Sequence, residues 1–288
     1  MKKCLKLSLL IIILTMIFTT GCTKDDMENI NIYVTNYANE YITQKLYGKH
    51  ATITSIYPDG INIDDYKLSS KQKKDYSKGD LFIYNGLIEK ERKIAVDLLS
   101  LNPDLKIIDS ASILETEYSP VELWLNPSSL LMMSQNIRIG LNEYISSSYL
   151  KKEIDEQYDK LKVSLSELDV SYRVAVDNAE KKEILIANPA LKYLEKFGLK
   201  VYCLDEHTSE KTKDDIKYLI KEKKLNNIYL FKEEKLNDTA KKLLSEYSNV
   251  KVQELHKLDN ISELERSEKK NYLTINNNNL ELIKLELY

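Results

Sequence analysis

The chain has 288 residues, room for two domains of ordinary size, and its 43% hydrophobic content can build real cores. Charged residues make up 30% but are mixed in sign, with a formal net charge of −3, so the chain is no disordered polyelectrolyte. It also lacks the basic patch with interleaved aromatics that a nucleic-acid binder carries.

At the N-terminus, Lys2, Lys3 and Lys6 precede an apolar run from Leu7 to Phe18, followed by Thr19-Thr20-Gly21-Cys22. A basic start, a short apolar stretch and small residues form a secretory signal. The run is too short to span a bilayer comfortably as a permanent helix. Gly21-Cys22 resembles the lipobox of bacterial lipoproteins, in which the Cys is acylated and becomes the new N-terminus. Cys4 is then discarded and Cys22 carries lipid. Cys203 is left alone, so the mature chain has no pair for a disulfide. Thr23 to Asn29 is polar and reads as a tether.

Strands are expected at Ile30–Val34, Ala51–Ile56, Gly79–Gly86 and Lys106–Asp109, from their β-branched and alternating residues. Helices are expected between them, over Asn36–Tyr47, from a Ser69 cap to about Ser77, and over Leu87–Leu101. This alternation predicts a mostly parallel sheet whose ligands sit at the carboxyl ends of the strands. Those ends carry the Gly60–Tyr66 loop, Asn85-Gly86 and the segment Glu122-Leu123-Trp124-Leu125-Asn126-Pro127. Trp124 reads as packing at the base of a cleft.

From Tyr149 to about Lys182 there is no Gly and no Pro. Leu150, Ile154, Tyr158, Leu161, Leu165, Leu168, Tyr172 and Val176 recur at steps of three and four, along one face of a helix. At roughly 1.5 Å per residue the helix runs about 40 Å, longer than a small domain is wide, so it should join two bodies. Strands then return at Glu183–Ala187, Lys200–Leu204, Asn227–Phe231 and Val250–Val252. Helices are expected over Asp214–Lys224 and Lys235–Tyr247. The closing segment from Asn271 to Leu287 reads as a helix, although Asn276 to Asn279 is a poor helical stretch. The domain plan is signal peptide 1–22, tether 23–29, first α/β lobe 30–148, connecting helix 149–182 and second α/β lobe 183–288.

Several segments in order carry a resemblance. They are Pro58-Asp59-Gly60 followed by Asp64-Asp65-Tyr66, the strand Gly79-Asp80-Leu81-Phe82-Ile83-Tyr84-Asn85-Gly86-Leu87, the piece Glu122 to Pro127, the stretch Asn188 to Leu199, and Leu258-Asp259-Asn260-Ile261. With them the chain resembles the metal-binding solute-binding lipoproteins of zinc and manganese ABC transporters. The resemblance implies two α/β lobes, each a mostly parallel sheet flanked by helices, joined by one long rigid helix with a cation held between them. It further implies a monomeric, non-enzymatic protein, lipid-anchored on the extracytoplasmic face of a bacterial membrane. Its partner would be an ABC permease.

The family holds its cation with four residues, two from each lobe, rich in histidine and ending in a carboxylate. At those places this chain has Asp64, Glu122, Asn188 and Asp259. His50, His207 and His256 fall at none of them. Family membership implies Zn²⁺ or Mn²⁺. An all-oxygen set also suits Ca²⁺ or Mg²⁺, whereas Zn²⁺ prefers nitrogen and sulfur. Three carboxylates converging in a cleft require a cation, open water, or a basic side chain reaching in. Each residue also has a plainer reading. Asp64 and Asp259 can be loop and turn residues, Glu122 a solvated charge, Asn188 a helix cap, and His256 a bystander three positions from Asp259. The alternative function is a family member that has lost metal and serves as a non-metal solute-binding or surface adhesion module. No nucleophile–base constellation, phosphate loop or cofactor motif supports an enzyme.

Overall fold

The computed structural model describes residues 27–232 and 234–288. The expected signal peptide, the lipidation site Cys22 and the start of the tether lie outside the described residues. The end of the tether is packed rather than free. Met27 is fully buried and its carbonyl accepts a 2.7 Å hydrogen bond from the Tyr47 hydroxyl.

The first lobe runs β1 Ile30–Val34, α1 Tyr37–Tyr47, β2 Ala51–Ser55, α2 Ser70–Tyr76, β3 Leu81–Tyr84, α3 Glu89–Leu101 and β4 Lys106–Asp109. Its strands form one parallel sheet in the order β2-β1-β3-β4, registered by Ile32 opposite Ile53 and Leu81 and by Ile83 opposite Ile108. Leu81, Phe82 and Ile83 are all fully buried, as expected for a central strand covered on both faces. Asn36 caps α1 through its side chain, and Ser69 with Gln72 forms a capping box on α2. After β4 come the one-turn helix α4 Glu122–Leu125 and the long α5 Pro127–Tyr144, with Asn126 as cap and Pro127 at its first position.

The connector α6 spans Ser148–Asp177, with Ser147 as its cap. All eight apolar positions expected on one face are buried. They pack against α5 and α1 on one side and, on the other, against the closing helix α10 Tyr272–Leu287. The helix stops before Lys182. Asn178 ends it, and the N–H groups of Glu180 and Lys181 both turn to the Leu287 carbonyl at the end of α10.

The second lobe repeats the plan with β5 Glu183–Ile186, a 3-10 helix Pro189–Phe197, β6 Lys200–Cys203, α7 Glu210–Lys221, β7 Asn227–Phe231, α8 Asp238–Glu246, β8 Lys251–Leu255, α9 Glu263–Ser267 and α10. Its sheet is parallel in the order β6-β5-β7-β8. The apolar core is continuous from Met27 in the first lobe through α6 to Leu287 in the second. A shared core of this kind resists hinge motion, because moving one lobe would expose apolar area on both.

The asparagine-rich stretch is helical despite its propensity. Asn276 accepts 2.6 Å from the Tyr172 hydroxyl and donates to the Tyr272 hydroxyl and the Leu125 carbonyl. Asn279 exchanges two 2.8 Å bonds with the backbone of His256. Tertiary hydrogen bonds in a buried setting outweigh a few tenths of a kcal/mol of intrinsic preference. Among the described residues no helix is long and apolar enough to cross a membrane.

Candidate functional site

The carboxyl ends of both sheets face one cleft. Two loops close one side of it: 56–66, after β2 in the first lobe, and 256–262, after β8 in the second. Gly60 takes φ +74°, a left-handed turn that favours glycine, and its N–H donates to the Ile261 carbonyl at 2.9 Å. Asn260 reaches back to donate to the carbonyls of Pro58 and Ile61, each at 2.9 Å. Beside them the Arg266 guanidinium forks onto Asp59 through Nε and Nη2 at 2.7 and 2.8 Å, and onto Glu40 through Nη1 at 2.7 Å. The two lobes are therefore sewn together by backbone and by a two-carboxylate arginine clamp.

Within this seam the structure brings together Asp64 and Asp259, one from each lobe, and it does so through a residue that the sequence reading did not single out. The Lys257 ammonium lies 2.7 Å from Asp64 Oδ2 and 3.2 Å from Asp259 Oδ2. The side chains of Lys257 and Asp259 are 18% and 14% exposed, whereas that of Asp64 is 68% exposed, so the cluster has a buried side and an open side. Burial works against the Lys257 charge. The Asp259 charge and the hydrogen bond to Asp64 more than offset it, so its pKa rises above that of an ordinary lysine.

The backbone fixes this geometry. The Trp124 indole N–H donates 2.9 Å to the Lys257 carbonyl, and the Tyr37 N–H donates 2.8 Å to that of Asp259. Between them Leu258, fully buried, takes φ +60°, a left-handed conformation unusual for a branched residue. Its N–H is held by His256 Nδ1 at 2.9 Å. Strain of this kind persists only where surroundings over-determine it. His256 is thus a structural acceptor facing Glu265 at 3.5 Å, and burial keeps its pKa below the usual imidazole value.

A cavity of about 280 Å³ opens beneath the cluster, lined by Tyr57, Ile63, Leu87, Ile88, Val121 and Trp124 and edged by Asp64, Lys257 and Asp259. Glu91, in the first turn of α3, also lines it and is fully buried. Its oxygens accept from the Thr35 hydroxyl, from Asn36 Nδ2 at 3.1 Å and from the Asn85 N–H at 2.7 Å. Burial outweighs these bonds and pushes its pKa up to about 7.

The other two expected ligands are engaged elsewhere. Glu122 opens α4 and turns back on its own loop, accepting from the N–H groups of Glu117 at 2.7 Å and Tyr118 at 3.3 Å. It borders a separate inter-lobe cavity with Tyr118, Lys192 and Lys196. Asn188 caps the 3-10 helix through the Ala190 N–H at 2.8 Å, while its amide donates to both oxygens of Glu234 at 3.0 and 2.9 Å. Among the described residues no group of three or more His, Cys, Asp or Glu side chains is placed to hold a metal ion. Across the lobes, Asp64 and Asp259 face each other with the Lys257 ammonium between them.

Residues 32–285 match the model of a family described as ZnuA, zinc-uptake complex component A periplasmic. The zinc-binding lipoprotein AdcA of Streptococcus pneumoniae (strain ATCC BAA-255 / R6) is 22% identical over 308 residues, covering 97% of this chain and 60% of that protein. The chain thus spans about three-fifths of the length of that relative. The high-affinity zinc uptake system protein ZnuA of Bacillus subtilis (strain 168) is 23% identical over 293 residues, covering 92% of this chain and 90% of its own. Among solved structures, the metal-dependent lipoprotein YcdH from Bacillus subtilis superposes with a TM-score of 0.73 at 20% identity, over 90% of this chain and 99% of that one. At that identity the likeness establishes the fold: two parallel-sheet lobes on one long connecting helix.

Proposed function

This chain belongs to the ZnuA family, and from that premise we propose that it is an extracytoplasmic solute-binding lipoprotein of an ABC importer whose cargo is a divalent cation taken into the inter-lobe cleft. Cys22 carries the lipid anchor, and the permease docks on the two-lobe body. The observation that carries the reading is that Asp64 and Asp259, from opposite lobes, already converge on one cation, the ammonium of Lys257. A place where two carboxylates hold an ammonium is electrostatically suited to a harder ion of higher charge. Asp64 and Asp259 are the ligands of this reading. Glu122 and Asn188 would have to leave the partners described above to join them. The zinc named for the relatives AdcA and ZnuA supports a divalent metal. The all-oxygen pair favours Mn²⁺, Ca²⁺ or Mg²⁺ over Zn²⁺ on ligand chemistry.

A second reading is favoured by the same lysine. With its own ammonium between the carboxylates, the chain could serve as a non-metal binding or surface-interaction module on the family scaffold. A thermal-shift screen separates the two. Binding to the native state raises the melting temperature by mass action. The transport reading predicts a rise with at least one of Zn²⁺, Mn²⁺, Ca²⁺ and Mg²⁺, lost in Asp259→Asn. No rise with any of the four would leave the second reading standing.

A further inference from the structure

The Lys257 ammonium sits on Oδ2 of Asp64 and Oδ2 of Asp259, the two carboxylates that a divalent cation in the cleft would also draw on. Two cations a few ångströms apart in a partly buried site repel strongly, so the site holds one or the other. We propose that Lys257 is a tethered competitor for the cation site: an ion enters only by expelling the ammonium, and this side chain sets how tightly the cleft binds. The proposal rests on the reading of Asp64 and Asp259 as the cation ligands.

Two features of the structure support it. First, the lysine is presented by a fixed backbone. Its carbonyl is held by Trp124, and the left-handed Leu258 beside it is pinned by His256. Displacement is then a rotation of the Lys257 side chain, with no loop movement required. Second, the lysine is not what closes the lobes. Gly60, Asn260 and Arg266 join the same two segments alongside it. Removing the ammonium therefore leaves a closed cleft with two unpaired carboxylates, a better cation site and a less stable apo-protein. Of the other bases near the cluster, Lys90 is already engaged, its ammonium donating to the backbone carbonyls of Ile63 and Asp64.

The test is calorimetric titration of the purified protein with MnCl₂ and ZnCl₂, comparing the native chain with Lys257→Met and Lys257→Gln. Circular dichroism confirms folding, and Lys257→Gln serves if Lys257→Met misfolds. The expected result is an affinity about 10- to 100-fold tighter in the variants, the equivalent of one charge-assisted hydrogen bond no longer competing. Unchanged or weaker affinity in both variants, or no binding by any of the three proteins, overturns the proposal. Adding Asp259→Asn to Lys257→Met separates the two levels. Tight binding surviving in that double variant removes the cation site itself. A double variant that binds poorly, beside a single variant that gains nothing, removes only the competitor.

Discussion

Two seams join the lobes, and they treat their charged residues differently. In the seam between 56–66 and 256–266, side chains reach across. Asp64 meets Lys257, Arg266 meets Asp59 and Glu40, and Asn260 meets the Pro58 and Ile61 carbonyls. In the seam between 117–128 and 188–196, the residues expected as ligands face home. Glu122 is satisfied by its own loop and Asn188 by its own helix and Glu234. Crossing there falls to Tyr118 with Glu195, to Lys192 over the Tyr118 ring, and to Lys196 with Asn126 and Ser128. A side chain already hydrogen-bonded within its own lobe has little to gain from a ligand between lobes, whereas one held only by an opposing charge can exchange that charge for another. The first seam therefore holds its carboxylates through charge pairs across the lobes, and the second satisfies its polar groups chiefly within each lobe.

The residue common to both seams gives the largest expected effect. Trp124 lies in α4 two residues after Glu122, is fully buried, donates to the Lys257 carbonyl, and through its own carbonyl accepts from Tyr272. Trp124→Ala should lower stability by about 3–5 kcal/mol in a denaturant titration. A loss below about 1 kcal/mol would mean the seams are independent. Next is the third carboxylate of the cleft. Burial raises the Glu91 pKa to about 7 from the ordinary 4.5. The folded state holds that proton where the unfolded state has lost it, so stability from this group is complete below pH ~4.5 and is lost as pH rises through ~7. Glu91→Gln should remove that decline from the stability–pH curve; an unchanged slope would show that the fold does not suppress its ionisation.

Smaller effects sharpen the contrast. Arg266→Ala breaks two ion pairs at a half-exposed clamp and should reduce stability by about 1 kcal/mol, less at high salt. Salt-insensitive loss of the same size would point to packing instead. Glu122→Gln should alter cation affinity by less than about twofold, well under the 1.4 kcal/mol that marks a tenfold change. A tenfold drop on titration would bring Glu122 into the cation site.

Much of this was legible in the sequence. The eight-residue apolar stripe of α6 locates the connector, because a 3.6-residue period survives any tertiary context that buries one face. Asp64 and Asp259 stand in the loops that follow β2 and β8, on the side where parallel sheets gather their ligands. Lys257 was not found. The turn that aims it depends on a left-handed Leu258 and on a histidine acceptor, and neither leaves a periodic trace. Its one signal was chemical: converging carboxylates need a counter-charge, and a lysine stands two positions from Asp259. For Glu122 and Asn188, order in the chain says where they lie but not which way they face. Glu122 turns back to the N–H groups of the loop that precedes its helix, and an asparagine before Pro189 caps its helix. The helical asparagines of α10 were obscured likewise, since their partners lie in other elements.

The most direct test of the account is a double-mutant cycle between Lys257 and Asp259, using Lys257→Met and Asp259→Asn in equilibrium unfolding at low metal. If the ammonium is what neutralises the cleft, the pair should show a coupling of about 1–2 kcal/mol, with the double variant recovering part of the stability that either single change removes. Strictly additive losses, with no coupling, would contradict it.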